Sequence, residues 1–75
     1  MNYIYISENN NLKLADTYID LKDLFTIKAD YNQAKKLVYK ALELYEALEN
    51  DEGIARSYAH IGDLLYYENN FHELL

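Results

Sequence analysis

The fold is decided by residues 15–48, which read ADTYIDLKDLFTIKADYNQAKKLVYKALELYEAL. The first half of this stretch repeats a large apolar residue every three or four positions, at Tyr18, Leu21 and Phe25. That spacing, which Leu14 and Ala15 extend in the N-terminal direction, is typical of an amphipathic helix, and we expect these residues to form its buried stripe. The second half places Ala34 and Ala41 seven residues apart, so one stripe of a second helix lets a neighbouring helix approach closely. The stretch therefore predicts two helices joined by a tight turn.

The same pattern returns 40 residues later in the chain. Sliding the sequence against itself by 40 pairs Tyr18 with Tyr58 and Asp23 with Asp63. Self-similarity at a period of a few tens of residues is typical of a stacked helical array. We therefore predict an all-α fold of antiparallel helical hairpins, with residues 1–75 as a single repeat domain. Within it we expect a partial helix over 2–9, a complete helix-turn-helix repeat over 12–48 and a partial second repeat over 52–75.

The turns are predicted from residues that cap or end helices. Asn9, Asn10 and Asn11 predict the first turn, which gives a helix over about 12–28. Asp30 followed three residues later by Gln33 is a capping-box pattern for the next helix, over about 31–48. We expect a third helix over about 52–68, with Ile54, Ala55, Tyr58, Ile61 and Leu65 as its apolar positions, and the beginning of a fourth at Phe71. Gly62 lies in the middle of the third helix, where Gly costs about 1 kcal/mol relative to Ala, and we expect close packing of a neighbouring helix there to offset this cost.

These residues resemble the tetratricopeptide repeat, a helix-turn-helix unit with a spaced pattern of aromatic, Leu and small residues. The first copy of the repeat signature is carried by Tyr18, Leu21, Phe25, Tyr31, Ala34 and Ala41, and the second by Tyr58, Ile61, Gly62, Leu65 and Phe71. The chain departs from the family pattern at Lys22, which stands at a site for a small residue, and at Ala29, which replaces a turn Gly. Its period is 40, against about 34 in the common form.

The resemblance implies a fragment of a right-handed superhelix with about three main helices, as in the long-period repeats of signalling and regulatory proteins. Such proteins are protein–protein interaction scaffolds that bind a peptide or a partner helix in a concave groove. The groove residues implied by the resemblance are Asp16, Ile19, Asp23, Thr26, Ile27, Arg56, Ala59, Asp63, Tyr66 and Tyr67. Asp23 and Asp63 share a register, which favours a basic or amphipathic partner. The alternative is that these two carboxylates are only solvated surface.

The amino-acid composition argues against several classes of function. The net charge is -6, which argues against nucleic acid and anionic membranes, since both require basic patches. The chain has no Cys, which excludes disulfides and suits a cytoplasmic location. His60 and His72 lie twelve residues apart without a third ligand, and Asp16, Asp20 and Asp23 have no second set of ligands, so we expect no metal and no cofactor. No catalytic constellation is present in the sequence, and the chain is not expected to be an enzyme.

A second hypothesis is purely structural. The repeat pattern is cut at both ends, and apolar residues there would be exposed, namely Tyr3, Ile4, Ile6, Phe71, Leu74 and Leu75. Helical arrays need terminal units with polar outer faces, and this sequence shows none. On this hypothesis the chain is a truncated or self-associating helical fragment that forms a homo-oligomer through its terminal helices.

Overall fold

The protein consists of three helices in the computed structural model, which describes the backbone of residues 2–74 and the side chains of residues 9–70. Helix α1 is Asn2–Ile27, helix α2 is Tyr31–Ala47 and helix α3 is Asp51–Leu74. The prediction of an all-α fold is confirmed. Helix α2 packs against both α1 and α3, whereas α1 and α3 make few contacts with each other. The predicted hairpin over residues 15–48 is present as α1 and α2, and its superhelical continuation stays a prediction.

The turn between α1 and α2 is built from a left-handed residue followed by a capping residue. Ala29 has a φ of 63°, and the N–H of Asp30 donates to the carbonyl of Phe25 at 2.8 Å. This bond satisfies a carbonyl that the helix end would otherwise leave free. The Asp30 carboxylate accepts a bond of 3.3 Å from the N–H of Gln33, as the capping pattern predicts.

The turn between α2 and α3 repeats this geometry. Glu49 has a φ of 55°, and the N–H of Asn50 donates to the carbonyl of Tyr45 at 2.9 Å. The side chain of Asn50 accepts a bond of 2.8 Å from the N–H of Gly53. Both turns therefore combine a residue in the left-handed conformation with an Asp or Asn that caps the next helix. Neither turn has Gly at the left-handed position, where Gly is the residue most easily accommodated.

Two predicted turns are wrong. Helix α1 continues through Asn9–Asn11, and α3 continues through Asn69 and Asn70, so the helix expected to begin at Phe71 is the end of α3. Asn is only a moderately poor helix former, costing less than about 1 kcal/mol relative to Ala. Neither segment contains Pro or Gly, which are the residues that break a helix more strongly. The long helices on either side therefore propagate through the asparagines.

The core lies along α2. Ala34 and Ala41 are fully buried, as the small-residue stripe predicts. The buried apolar residues of all three helices are Ala15, Ile19, Ala34, Val38, Ala41, Leu42, Tyr45, Ile61 and Leu64. The partly buried residues packed against them include Tyr18, Phe25 and Tyr31 of the repeat signature. Close helix approach at the alanines is thus what allows α2 to contact two helices at once.

The predicted buried face of α3 is wrong. Ala55, Tyr58 and Leu65 were expected to pack inward with Ile61, but all three are exposed. Instead α3 presents Gly53, Ser57, Ile61 and Leu64 to the interior. Tyr58 is 57% exposed, whereas its repeat equivalent Tyr18 is partly buried. The reason is that α2 follows α1 and covers Tyr18, while among residues 2–74 no helix follows α3 to cover Tyr58.

A smaller correction applies to α1. Leu14 and Leu21 were expected in its buried stripe, and both are exposed. Ile19 and Leu12 contribute to the interior instead. The buried face of α1 is centred on Ala15 and Ile19, which leaves a row of leucines on the outer side of the helix.

The expected role of Gly62 is also wrong. A Cβ placed at Gly62 would meet no atom within 4 Å, so no neighbouring helix is close at this point. Gly53 has the tight environment instead, because a Cβ there would overlap the ring of Tyr45. The close approach that the sequence suggested for one glycine occurs at the other, nine residues earlier in the same helix.

Candidate functional site

The candidate site is the surface where α1 and α3 come side by side, which we call the α1–α3 face. It is formed by Asp16, Lys22 and Asp23 of α1 with Glu52, Arg56, His60 and Asp63 of α3. Asp16 and Arg56 are 40 residues apart, as are Asp23 and Asp63, so repeat-equivalent positions supply both sides. The structure thereby brings four of the predicted groove residues onto one surface.

A cleft of about 190 Å³ lies at one end of this face. Its walls are Leu12, Asp16, Tyr45, Asn50, Glu52, Gly53 and Arg56. The carboxylate of Asp16 accepts a hydrogen bond of 2.5 Å from the Tyr45 hydroxyl. The guanidinium of Arg56 is 2.7 Å from the Glu52 carboxylate, one turn away on α3. The cleft is therefore polar, and its charged side chains are fixed in position by a hydrogen bond from Tyr45 and by the Arg56–Glu52 ion pair.

Tyr45 is the buried anchor of the cleft. Its side chain is 1% exposed, and its ring lies against Gly53. Burial raises the pKa of the phenol to about 12, and the hydrogen bond to Asp16 and the negative charge of Asp16 add to this. The hydroxyl is therefore a hydrogen-bond donor across the physiological range and fixes the position of Asp16.

His60 lies at the centre of the α1–α3 face. Partial burial lowers the pKa of its imidazole, and the positive charge of Lys22 lowers it further. The carboxylates of Asp23 and Asp63 oppose this shift, and Arg56 contributes in the same direction as Lys22. Charged groups of both α1 and α3 therefore affect the pKa of His60, so the two helices are close enough at this point to interact electrostatically.

Lys22 occupies the site at which the repeat family has a small residue. Its side chain is only 12% exposed, and its ammonium is 3.0 Å from the carboxylate of Asp23. A lysine can bury its aliphatic stem while its charged end reaches a partner or water. The side chain of Lys22 is therefore largely buried while its charge is paired with that of Asp23.

The other predicted groove residues are spread over the surface. Ile19 is buried in the core and is withdrawn from the groove, because its side chain offers no surface to a partner. Thr26 donates its hydroxyl to the carbonyl of Lys22 at 2.8 Å, while Ile27 is 82% exposed at the end of α1. Ala59, Tyr66 and Tyr67 are exposed on α3, with the rings of the two tyrosines 6.0 Å apart edge to face.

Sequence reasoning missed several residues of the cleft, namely Leu12, Tyr45, Asn50, Glu52 and Gly53. One available signal was the spacing Asn50-x-x-Gly53, which is a helix N-cap with a residue at its third position that lacks a Cβ. Nothing in the local sequence indicates that the Gly53 position faces a tyrosine ring. That relationship depends on how α2 and α3 fold back on each other.

No potential metal site is found in the part of the chain that the structure describes, since no three His, Asp or Glu side chains come together there. None of the helices, over the residues described, combines the length and apolar character needed to cross a membrane. Comparison of the chain with protein-family models, with curated proteins and with solved structures gives no match. The functional interpretation therefore rests on the residues described above.

Proposed function

We propose that this protein is an interaction module of the tetratricopeptide type, which binds a basic or amphipathic peptide or helix on the α1–α3 face. It performs no chemistry of its own and takes no cofactor. We further propose that it works as a cytoplasmic scaffold within a signalling or regulatory system. The observation that carries the proposal is the placement of repeat-equivalent residues of α1 and α3 around a single cleft and its adjoining surface.

The charge balance of the α1–α3 face supports a cationic partner. Lys22 is paired with Asp23, and Arg56 is paired with Glu52. Each of these pairs sums to zero, and Asp16 and Asp63 then leave the face with an excess of negative charge. A peptide carrying Lys or Arg is attracted to such a surface, whereas an acidic one is repelled.

The cleft supports a partner that inserts a side chain. Asp16 and Glu52 stand at its walls, while Leu12 supplies an apolar surface for the stem of a long residue. A lysine or arginine of the partner would lay its methylene groups on the apolar wall and direct its charge to the carboxylates. A helical partner with basic residues on one side and apolar residues on the other fits this arrangement.

The test is a titration of the chain with a labelled amphipathic basic peptide, followed by fluorescence anisotropy. The double variant Asp23→Lys with Asp63→Lys reverses charge on both helices of the face without touching the Asp16–Tyr45 bond. We expect the affinity of this double variant for the peptide to fall by about tenfold or more. A single exposed charge contributes little to binding, but reversing two charges changes the electrostatic potential of the whole face.

The matched control is Glu43→Lys combined with Glu46→Lys, which makes the same total charge change at two exposed positions of α2. We expect this variant to bind within about twofold of the unchanged protein, because long-range charge effects at ordinary salt are screened over roughly 10 Å. An equal loss of affinity in the control and in the double variant would contradict the proposed site. Equal binding of an acidic peptide of the same length would contradict the proposed partner class.

A further inference from the structure

Within residues 9–70, α1 and α3 each carry an exposed outer face, and the two faces differ in shape. On α1, Leu14, Leu21 and Leu24 lie on one side of the helix and all are exposed, with Leu24 at 56%. We call this row the leucine face. On α3, Ala55, Ala59 and Gly62 form an exposed strip that we call the small-residue face.

The small-residue face is a shallow groove. Ala55, Ala59 and Gly62 are its floor, spaced by four and three residues so that they stand above one another on the helix. The exposed side chains of Tyr58 and Leu65 lie beside this floor, and the exposed Tyr66 lies at its C-terminal end. A Cβ at Gly62 would meet no atom within 4 Å, so the floor is open where it is deepest.

We propose that the small-residue face of one copy of this chain receives the leucine face of a second copy. Bulky leucines spaced by seven and three residues can insert as knobs between small residues, as in the packing of helices in soluble bundles. Burial of exposed leucines and tyrosines on both faces supplies the driving force. The contact uses α1 of one molecule and α3 of the other, and of the residues named here it shares only Asp63, at its edge, with the α1–α3 face proposed for the peptide.

The charges beside the two faces are complementary. Lys13 and Lys28 adjoin the leucine face, and among the described residues neither has an ion-pair partner, while Asp20 is the carboxylate on that side. The small-residue face carries Asp51 at one end and Asp63 along its edge. Opposite charge on the two surfaces favours the α1-to-α3 contact, whereas two α3 faces brought together would place like charges near each other.

The contact is heterologous, because the two surfaces that meet are different. A heterologous contact that does not close into a ring adds copies one after another. Each added copy repeats its own α1–α3 face along the assembly. A contact made by one helix on each side is small, and we therefore expect affinity in the micromolar range or weaker, roughly at the low end of specific interfaces.

The experiment is sedimentation velocity of the full chain from about 10 μM to about 1 mM, a range that brackets an association of this strength. We expect the sedimentation coefficient to rise with concentration. Gly62→Glu blocks the small-residue face, and Leu24→Glu blocks the leucine face. Each variant alone is expected to self-associate at least about tenfold more weakly than the unchanged protein, since a charge is placed in an apolar contact.

A mixture of the two variants provides the decisive measurement. Gly62→Glu retains an intact leucine face and Leu24→Glu retains an intact small-residue face, so together they should form a 1:1 dimer that grows no further. Ala47→Glu is the matched control, because it adds the same charge at an exposed position of α2 outside both faces. Circular dichroism of each variant establishes that the helices are retained.

Three outcomes would overturn the proposal. One is an unchanged protein that remains monomeric over the whole concentration range. Another is a Leu24→Glu variant that still self-associates while the mixture forms no 1:1 dimer, which would indicate pairing between two α3 faces. The third is an Ala47→Glu control that loses association as strongly as Gly62→Glu does.

Discussion

The hydroxyl of Tyr45 donates a hydrogen bond of 2.5 Å to the carboxylate of Asp16, and this bond joins the end of α2 to the middle of α1. The ring of the same tyrosine lies on α3, where the absence of a side chain at Gly53 makes room for it. One residue therefore contacts all three helices. Because α1 and α3 make few contacts directly, Tyr45 is a principal determinant of how the two are placed relative to each other.

Replacing Tyr45 by Phe should lower the free energy of unfolding by about 1 kcal/mol. The substitution keeps the ring and its packing against Gly53 and removes only the hydroxyl. The loss is smaller than the about 1.5–3 kcal/mol typical of a hydrogen bond to a charged group, since Asp16 is exposed and water can replace the lost donor. Urea denaturation of the two proteins at neutral pH measures the difference.

The same variant should change the response to alkali. The phenol of Tyr45 has a pKa of about 12 in the folded protein, against an ordinary value of 10.0. Its contribution to stability is therefore complete below about pH 10 and is lost as the pH rises through about 12. Tyr45→Phe should lack this part of the alkaline destabilisation. An identical loss of stability in both proteins over that window would contradict the assignment.

The two glycines of α3 should respond in opposite directions to the same change. Gly53→Ala places a methyl group against the ring of Tyr45, and we expect a loss of about 1–3 kcal/mol from overpacking. Gly62→Ala has open space around it and should stabilise α3 by about 0.5–1 kcal/mol through helix propensity. Thermal and urea unfolding of the pair compare the same substitution in one helix. Stabilisation at both positions would mean that Gly53 is not packed.

Local chemistry was sufficient to predict much of this fold. The spacing of apolar residues gave the pair formed by α1 and α2, and the small-residue stripe identified Ala34 and Ala41 as buried contacts. The Asp30 cap was also predictable, because a side chain and a backbone N–H three residues later form it without tertiary help. These features depend on residues close together in the sequence.

The orientation of α3 could not be predicted in the same way. A 40-residue register assigns Tyr58 the surroundings of Tyr18, but those surroundings are supplied by the helix that follows. Without an equivalent helix among the described residues, α3 buries the side that contacts α2, which includes Ser57 and Leu64. The cleft was missed for a related reason. Tyr45 contacts both Asp16 and Gly53, and these contacts join residues that are far apart in the sequence.

Replacing Ser57 by Ala should stabilise the folded protein. Its side chain is fully buried, and among the described residues its hydroxyl has no hydrogen-bond partner. An unsatisfied buried polar group costs about 1–3 kcal/mol, so we expect Ser57→Ala to raise the free energy of unfolding by about 1 kcal/mol. The control is Thr17→Ala at the repeat-equivalent position, whose hydroxyl is exposed and bonded to the carbonyl of Lys13. A destabilised Ser57→Ala protein would indicate that the hydroxyl has a partner.

The two turns should be improved by glycine. Ala29 and Glu49 both adopt left-handed backbone angles, with φ of 63° and 55°, which L-residues with a Cβ adopt at a cost. Ala29→Gly and Glu49→Gly should each raise the melting temperature, since relief of about 1–2 kcal/mol of strain exceeds the about 0.4–1 kcal/mol that the added entropy of the unfolded chain costs. Differential scanning calorimetry measures both. Gly at the exposed position Ala47, inside α2, is the contrasting case and should lower the melting temperature.

His60 should make the folded state less stable under mildly acidic conditions. Burial and the nearby Lys22 lower the pKa of its imidazole below the ordinary value of 6.5, although Asp23 and Asp63 act in the other direction. The unfolded chain therefore binds a proton at this residue more readily than the folded chain does. The contribution of neutral His60 to stability is fully present above about pH 6.5, and it is lost as the pH falls below that value towards the pKa of the folded state.

The variant that isolates this effect is His60→Gln, which keeps a polar side chain of similar size and cannot titrate. Urea denaturation from about pH 8 down to about pH 5 spans the window in which an imidazole of lowered pKa becomes protonated. We expect the unchanged protein to lose more stability than His60→Gln over this range, because both proteins keep the same carboxylates and His72. If the two curves run parallel, the imidazole of His60 has the same pKa in the folded and unfolded chains, which would contradict the lowered pKa assigned to it on the α1–α3 face.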